Sequence, residues 1–343
     1  MPTALVTGAT GLVGSHIVER LVADGWEVRA LVRDPAAARW IADDLGAELA
    51  CGDVLDAESF ARAARGCDHV YHTAAAITPR GGWEAFRRPN IDGTANAIRA
   101  AGAAGARLLH LSSVAVYGER ARYRAAGEKT DERAALPPPE SMSHYGRSKR
   151  ESEAMVLAAH ARGEVWGTAV RPSVIYGRRD RQFVPRVARV LSTGFFPLLG
   201  RGDSTLPIVH AAAVADAAVR AARHDAAGGR AFNAADDFPV TVREFVRLAA
   251  EGLGRRVREV RVPLAAARAG MWAAQGVIAL VAGRSKSAMS GATVDFLSRD
   301  NPFSSELARR ELGWSPPVPP ALGVPEAFRW WRERRGGRGG RGG

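Results

Sequence analysis

The sequence predicts an α/β chain built on a doubly wound parallel sheet, followed by a smaller mixed α/β region. Three observations predict it. Ala4, Leu5 and Val6 read as a short buried strand, and Ile17, Val18, Leu21 and Val22 recur at helical spacing just after it. Between them stand Gly8, Gly11 and Gly14, in the strand–turn–helix context in which backbone cradles a pyrophosphate. Strands and helices then alternate along most of the chain, as they do where a parallel sheet is covered on both faces.

Bulk properties set the class. With 343 residues, 46% hydrophobic and 24% charged, the chain can bury one large core or two unequal ones. Lys+Arg is 48 against Asp+Glu 36, a net charge of +12, and nearly all the cations are arginine. A basic field favours anionic ligands but does not by itself indicate nucleic acid. Cys51 and Cys67 lack metal-like spacing and read as reduced cytoplasmic thiols, so no metal site is expected. The chain opens directly on a strand, with no leader expected.

In the opening loop, Gly8 permits the tight turn, Gly11 lets backbone approach phosphate, and Gly14 lets helix pack on strand. The uncovered N–H groups and positive dipole end of the helix then hold the anion. Glu27 to Val32 is the second strand. In a Rossmann fold its end meets the adenosine ribose, where an acidic residue would select NAD. Here the strand ends on Arg33, which suits a 2′-phosphate and favours NADP, with NAD still admissible. Asp34 before Pro35 reads as a helix cap. Glu48 to Cys51 is a third strand, ending at Gly52-Asp53-Val54, where Asp53 can accept from adenine or cap the next helix.

Val70 to His72 ends a fourth strand and runs into Thr73-Ala74-Ala75-Ala76, small residues against which a flat cofactor can lie. Trp83 to Gly102 reads as one helix containing Asn90. Arg107 to Leu111 is the fifth strand, leading into Ser112-Ser113, and residues 120 to 143 read as a loop. The next helix carries Tyr145 and Lys149, four residues apart and therefore on one face. An ammonium near a phenol stabilises the phenolate and lowers its pKa from about 10. That makes a proton donor and acceptor usable near neutral pH.

These stretches together resemble an extended short-chain dehydrogenase/reductase of the NAD-dependent epimerase/dehydratase family. The resemblance rests on Thr7 to Gly14, Gly52 to Val54, Ala74-Ala75, Asn90 to Thr94, Ser112-Ser113 through Gly118, Tyr145 to Lys149, and Arg171 to Gly177. It implies that Tyr145 is the acid/base, Lys149 lowers its pKa and binds ribose, Ser113 polarises the substrate oxygen, and Asn90 is the structural and proton-relay asparagine. It also implies a cofactor contact set of Gly8, Thr10, Gly11, Leu12, Val13, Gly14, Arg33, Asp53, Val54, Ala74, Ala75, Pro172, Ser173 and Val174, besides Tyr145 and Lys149. Where the family often has an acidic pair after a histidine, this chain has Ala212 and Ala213 after His210.

Glu164 to Val170 is a sixth strand; Asp180 to Gly194, Ala211 to His224 and Thr241 to Gly254 are helices, and Leu206 to His210 is a strand. The expected organisation is a cofactor domain of residues 1–178 plus about 206–235, a substrate region of about 179–205 and 236–331, and a disordered Arg/Gly tail of 332–343. The second strand resembles that of dihydroflavonol reductases. The apolar segment Leu264 to Ala282 and the Phe303 to Trp314 signature resemble the 3β-hydroxysteroid dehydrogenase group. Both imply a fairly large apolar substrate, such as a steroid, flavonoid or lipid. Leu264 to Ala282 contains Arg268 and Gln275 and falls short of a membrane span, leaving a core helix or membrane-surface contact.

The leading expectation is an NADP(H)-preferring oxidoreductase interconverting a secondary alcohol and a ketone. The alternative is a nucleotide-sugar 4-epimerase holding NAD tightly. Arg33 counts against it, as does Ser173 where epimerases usually have Asn. Dehydratases resemble the chain less, because Val114-Ala115 follows Ser113 in place of an acidic pair. A non-catalytic cofactor sensor or RNA-associated protein is the third reading, and the intact Ser113, Tyr145 and Lys149 oppose it. By analogy with the family a homodimer is expected. DNA is not an expected partner, and three short Arg-Gly repeats are a weak basis for RNA binding.

Overall fold

A seven-stranded parallel sheet organises the part of the chain that holds the candidate catalytic and cofactor residues. The structure is a computed structural model that describes residues 1–118, 128–235, 238–267 and 291–339. In chain order the first elements are β1 (Thr3–Thr7), α1 (Leu12–Ala23), β2 (Glu27–Val32), α2 (Arg39–Leu45), β3 (Glu48–Cys51), α3 (Ala57–Ala64) and β4 (His69–His72). Then come α4 (Glu84–Arg87), α5 (Gly93–Ala104), β5 (Arg107–Leu111), α6 (His144–Ala161), β6 (Gly167–Pro172), β7 (Val174–Tyr176) and α7 (Phe183–Leu191). They are followed by β8 (Phe195–Leu199), β9 (Ile208–His210), α8 (Ala211–Arg223), β10 (Ala231–Ala234), α9 (Val242–Leu253) and β11 (Arg258–Val262).

The sheet order is β10-β6-β5-β4-β1-β2-β3, all parallel. The chain leaves β1 in one direction for β2 and β3, then returns to its other side for β4, β5 and β6. The switch falls between β1 and β4, whose carboxyl ends therefore border the crevice where doubly wound folds bind ligands. Central strands are buried on both faces, which is why β4 and β6 show no alternation of buried and exposed residues. On one face Ile17, Val18 and Leu21 of α1 pack with Val214, Ala217, Ala218 and Ala221 of α8. On the other, Phe60, Ala97, Ala101, Val156 and Ala159 cover Leu5, Val70 and Leu108.

The chain folds into two units. The first is 1–175, 209–237 and 303–318; the second is 176–208, 238–302 and 319–343. Residues 303–318, expected with the substrate region, belong to the first unit. Burial decides it: Trp314 is 1% exposed and its indole N–H donates to the Ala213 carbonyl at 3.1 Å, while Ala308 and Leu312 join the α1–α8 core. The second unit contains α7, α9, the helix Pro320–Gly339, and a parallel pair of β8 with β11.

The expected tail needs a second correction. The helix Pro320–Gly339 runs through residues 332–339, and only 340–343 lie outside the described residues. A helix anchored by buried Val324, Ala327 and Phe328 extends at the gain of one backbone bond per residue, and this carries it past the expected end. Of the apolar segment Leu264 to Ala282, residues 268–282 lie outside the described residues, as do 119–127 of the expected loop. Among the described residues no helix is long and apolar enough to cross a membrane, and no cluster of His, Cys, Asp and Glu could hold a metal.

The expected single helix over Trp83 to Gly102 is also broken. Arg88–Asp92 forms a wide π-type turn between α4 and α5. Pro89 has no N–H to give an α-helical bond, and widened turns of this kind are common at functional positions. Asp34 caps a turn through the Ala37 N–H at 3.1 Å, and α2 begins only at Arg39.

Candidate active site

The opening loop is built by close backbone approach. Gly8 has φ +66°, and a side-chain carbon there would stand 2.8 Å from the Ala74 nitrogen. At Gly14 it would stand 2.3 Å from the Gly8 carbonyl oxygen, so neither position admits alanine without displacing backbone. The loops after β1 and β4 are thus pressed together, with the Thr73 hydroxyl donating to the Thr7 carbonyl at 2.7 Å. α1 starts at Leu12 from Gly11 with no side-chain cap, so no capping side chain covers the first-turn N–H groups of Leu12, Val13 and Gly14, the arrangement that favours an anion at a helix start. Thr10 is half-buried beside them.

Arg33 is exposed at the carboxyl end of β2, one strand over from the glycine loop. Asp53 is half-buried after β3. Its carboxylate accepts from the Leu55 N–H at 2.9 Å, and Asp56, not Asp53, caps α3. Val54 is half-buried, and its carbonyl accepts from the Asn96 amide at 2.7 Å. Ala74 and Ala75 are half-buried at the end of β4. Pro172 and Ser173 are buried and Val174 half-buried after β6. The Ser173 hydroxyl is buried without a partner among the described residues, as is that of Ser112. Uncapped first-turn amides, a glycine-tight crevice and an orphaned hydroxyl on its far side suit a dinucleotide.

At the carboxyl end of β5 the chemistry concentrates. Lys149 is 3% exposed, and its ammonium donates to the Leu111 carbonyl at 2.7 Å. Burial pushes its pKa down to about 8, and the Glu153 carboxylate one turn along α6 pulls the other way. Ser113 lies two residues beyond Leu111. Its hydroxyl oxygen accepts from the Ala115 N–H at 3.2 Å, which leaves the O–H to donate elsewhere. Tyr145 is half-buried in the first turn of α6, a helix capped by the Ser143 hydroxyl on the Gly146 N–H. The Tyr145 carbonyl accepts from the Ser148 hydroxyl at 2.9 Å, and that hydroxyl accepts from the Asn90 amide at 2.8 Å. Asn90 also clamps the Ala76 backbone, accepting at 2.7 Å and donating at 3.0 Å. One asparagine in the widened turn therefore ties the loop after β4 to the turn that carries Tyr145.

Sequence reasoning missed what lies beneath. Arg171 and Glu153, both buried, form a two-pronged ion pair at 2.9 and 2.6 Å. Arg171 also donates to the Tyr117 hydroxyl at 2.8 Å, which donates to the Asn233 amide oxygen at 2.8 Å. Although burial opposes it, the Glu153 carboxylate holds Arg171 charged above its ordinary range. The spacing of Glu153, four residues after Lys149, was the available signal. His72 and His110 stack with ring centroids 5.8 Å apart. Thr7 shares a hydrogen bond with His72 at 2.9 Å, and Ser152 with His110 at 3.1 Å. Burial, then the Lys149 charge, pushes His72 down to about 3 and His110 well below its ordinary value.

Known proteins similar to this chain agree with that architecture. The model of the NAD dependent epimerase/dehydratase family matches residues 4–235. The chain belongs to this family. It is 30% identical over 311 residues to the 4-hydroxy-2-methyl-3-oxo-4-farnesyl-3,4-dihydroquinoline-1-oxide ketoreductase of Stigmatella aurantiaca, covering 90% of this chain and 91% of that one. It is 30% identical over 330 residues to a 3 beta-hydroxysteroid dehydrogenase/Delta 5-->4-isomerase of Mycobacterium tuberculosis, covering 91% and 85%. The crystal structure of gox2253 superposes with a TM-score of 0.76 at 26% identity over 97% of this chain and 99% of that one. The chain is therefore an NAD(P)-dependent enzyme of the extended short-chain dehydrogenase/reductase class, with 3β-hydroxysteroid dehydrogenase-like relatives.

The buried histidines make a pH prediction. The unfolded chain takes up a proton at His72 near 6.5, whereas the folded chain resists until about 3. Between those values the unfolded state binds more protons, so stability falls as pH falls through that window. In His72→Gln the unfolding free energy obtained from urea titrations between pH 7 and pH 4 should fall less steeply, by up to ~1.4 kcal/mol per pH unit. Parallel curves for the two proteins would show that this ring does not contribute.

Proposed function

We propose that the protein is an NADP(H)-preferring oxidoreductase that interconverts a secondary alcohol and a ketone on a fairly large apolar substrate. The observation that carries the reading is the Lys149 ammonium, buried on the Leu111 carbonyl, with Tyr145 one turn before it and Ser113 two residues past that carbonyl. Apolar substrates are named for both curated relatives, a farnesyl quinoline and a steroid.

The nicotinamide, when bound, supplies or accepts the hydride. The residues do the rest. Tyr145 passes the hydroxyl proton to or from the substrate oxygen. Lys149, charged at neutral pH, lowers the cost of the Tyr145 phenolate. Ser113 donates its O–H to the oxygen on which charge develops. Asn90 positions the Tyr145 turn through Ser148. The opening-loop amides of Leu12, Val13 and Gly14, with Thr10 and Gly11, hold the pyrophosphate. Arg33 pairs with the 2′-phosphate, Asp53 and Val54 flank adenine, and Ala74, Ala75 and Pro172 to Val174 line the remaining length. We assign substrate recognition to the second unit and expect a homodimer by family analogy.

The epimerase reading needs tightly held NAD, and the arginine at residue 33 disfavours it. Tyr145→Phe should lower NADPH-dependent ketone reduction by ~10²-fold or more while cofactor affinity stays near normal; full turnover would reject the assignment. Arg33→Ala should weaken NADPH more than NADH by ~1–3 kcal/mol in a fluorescence titration. Equal losses for the two cofactors would remove the NADP preference.

A further inference from the structure

The charge of this protein is concentrated in one of its two units. The second unit holds 22 of the 48 Lys+Arg but only 9 of the 36 Asp+Glu, a net +13, which leaves −1 on the first unit. Its acids are largely engaged: Glu251 pairs with Arg247, Glu259 with Arg243 and Glu326 with Arg178. Arg255, Arg258, Arg332 and Arg335 are exposed and have no carboxylate partner among the described residues.

Exposed aromatic and apolar groups lie close to these arginines in the chain. A surface depression of about 660 Å³ is lined by Ser192, Arg255, Trp331, Arg332 and Arg335 among others. Phe195 follows three residues after Ser192 and is 52% exposed. Arg258 donates its N–H to the Gly194 carbonyl at 2.9 Å and is the register partner of Phe195. Val260, two residues on and therefore on the same face of β11, is 47% exposed. The Arg335 guanidinium lies over the Trp331 ring at 5.1 Å, and Arg334 over Trp330 at 5.0 Å.

We propose that this face of the second unit docks onto an anionic lipid bilayer. Arginines meet headgroup phosphates, each contributing attraction near a negative membrane surface. Phe195, Val260 and Trp331 sit at headgroup depth, where amphipathic and aromatic groups are favoured. Arg255, Arg332 and Arg335 line the depression, but Arg258 and the exposed Phe195 and Val260 lie outside its lining, and a soluble anion in the depression would give those apolar groups no partner. The contact lies on the surface, since no described helix can cross a bilayer. The inference stands on charge and exposure alone, and goes beyond the reading of the reaction, for which it would bring the enzyme to where an apolar substrate partitions.

The test is sedimentation of the full chain with phosphatidylcholine vesicles, with and without phosphatidylglycerol. Binding should require phosphatidylglycerol and weaken with NaCl as the Debye length shrinks from ~10 Å at 0.1 M to ~3 Å at 1 M. The triple variant Arg255→Glu, Arg332→Glu, Arg335→Glu should bind at least ~10-fold more weakly, with NADPH affinity and thermal midpoint unchanged. The triple variant Arg39→Glu, Arg62→Glu, Arg133→Glu in the first unit carries the same charge change and should bind as the parent does. Phe195→Ser should weaken vesicle binding as well. No binding to the anionic vesicles, or equal losses in the two triple variants, would overturn the proposal. So would displacement by inorganic phosphate at lower ionic strength than chloride, or tighter binding to single-stranded RNA than to vesicles.

Discussion

The candidate site depends on one buried charge. The Lys149 ammonium is almost wholly removed from water, and an unpaired charge in such a place would be driven to neutrality. Two features keep it cationic at neutral pH. The Leu111 carbonyl accepts from it at 2.7 Å, and Glu153, although shared with Arg171, contributes a favourable field. The same hydrogen bond fastens α6 to the end of β5, so the cation that sets the chemistry also fixes the helix that carries Tyr145. Nearby His72 and His110 are held neutral by burial and by this charge, so they add no competing cation to the layer beneath the site.

Support comes from below and from the side. Glu153 and Arg171 tie α6 to β6, and Arg171 extends the network through Tyr117 to Asn233 on β10. Breaking such a pair from one side leaves a buried charge uncompensated, which is costly, so the pair specifies this packing more than it strengthens it. Asn90 does the corresponding work on the opposite flank. A widened turn at Pro89 delivers its amide to Ala76 and to Ser148, which links the crevice wall after β4 to the Tyr145 turn.

Much of this was legible in the sequence because the signals were local. The glycines at 8, 11 and 14 are spaced by the turn they make, and the sheet strands are apolar runs bounded by turn residues. Tyr145 and Lys149 are linked by helical periodicity. What escaped was long-range. The partnership of Glu153 with Arg171, and of Tyr117 with Asn233, joins residues whose proximity only the strand order creates. The placement of Trp314 under Ala213 likewise depends on a chain return that no periodicity encodes. The helix over 332–339 escaped for another reason: composition predicts solvation, but an anchored upstream turn can carry a helix into a polar segment. The uneven charge of the two units was present in the composition and became visible only once the units were defined.

The most direct measurement is the titration of the Lys149 amine itself. The chain has three lysines, Lys129, Lys149 and Lys286, so carbon-13 labelling of lysine gives a spectrum simple enough to assign with a Lys149→Met variant. One ε-carbon resonance should titrate near pH 8 and be missing from the variant. If all three resonances instead titrate at the ordinary lysine value of about 10.4, the ammonium is not buried on the Leu111 carbonyl, and the account of the site fails.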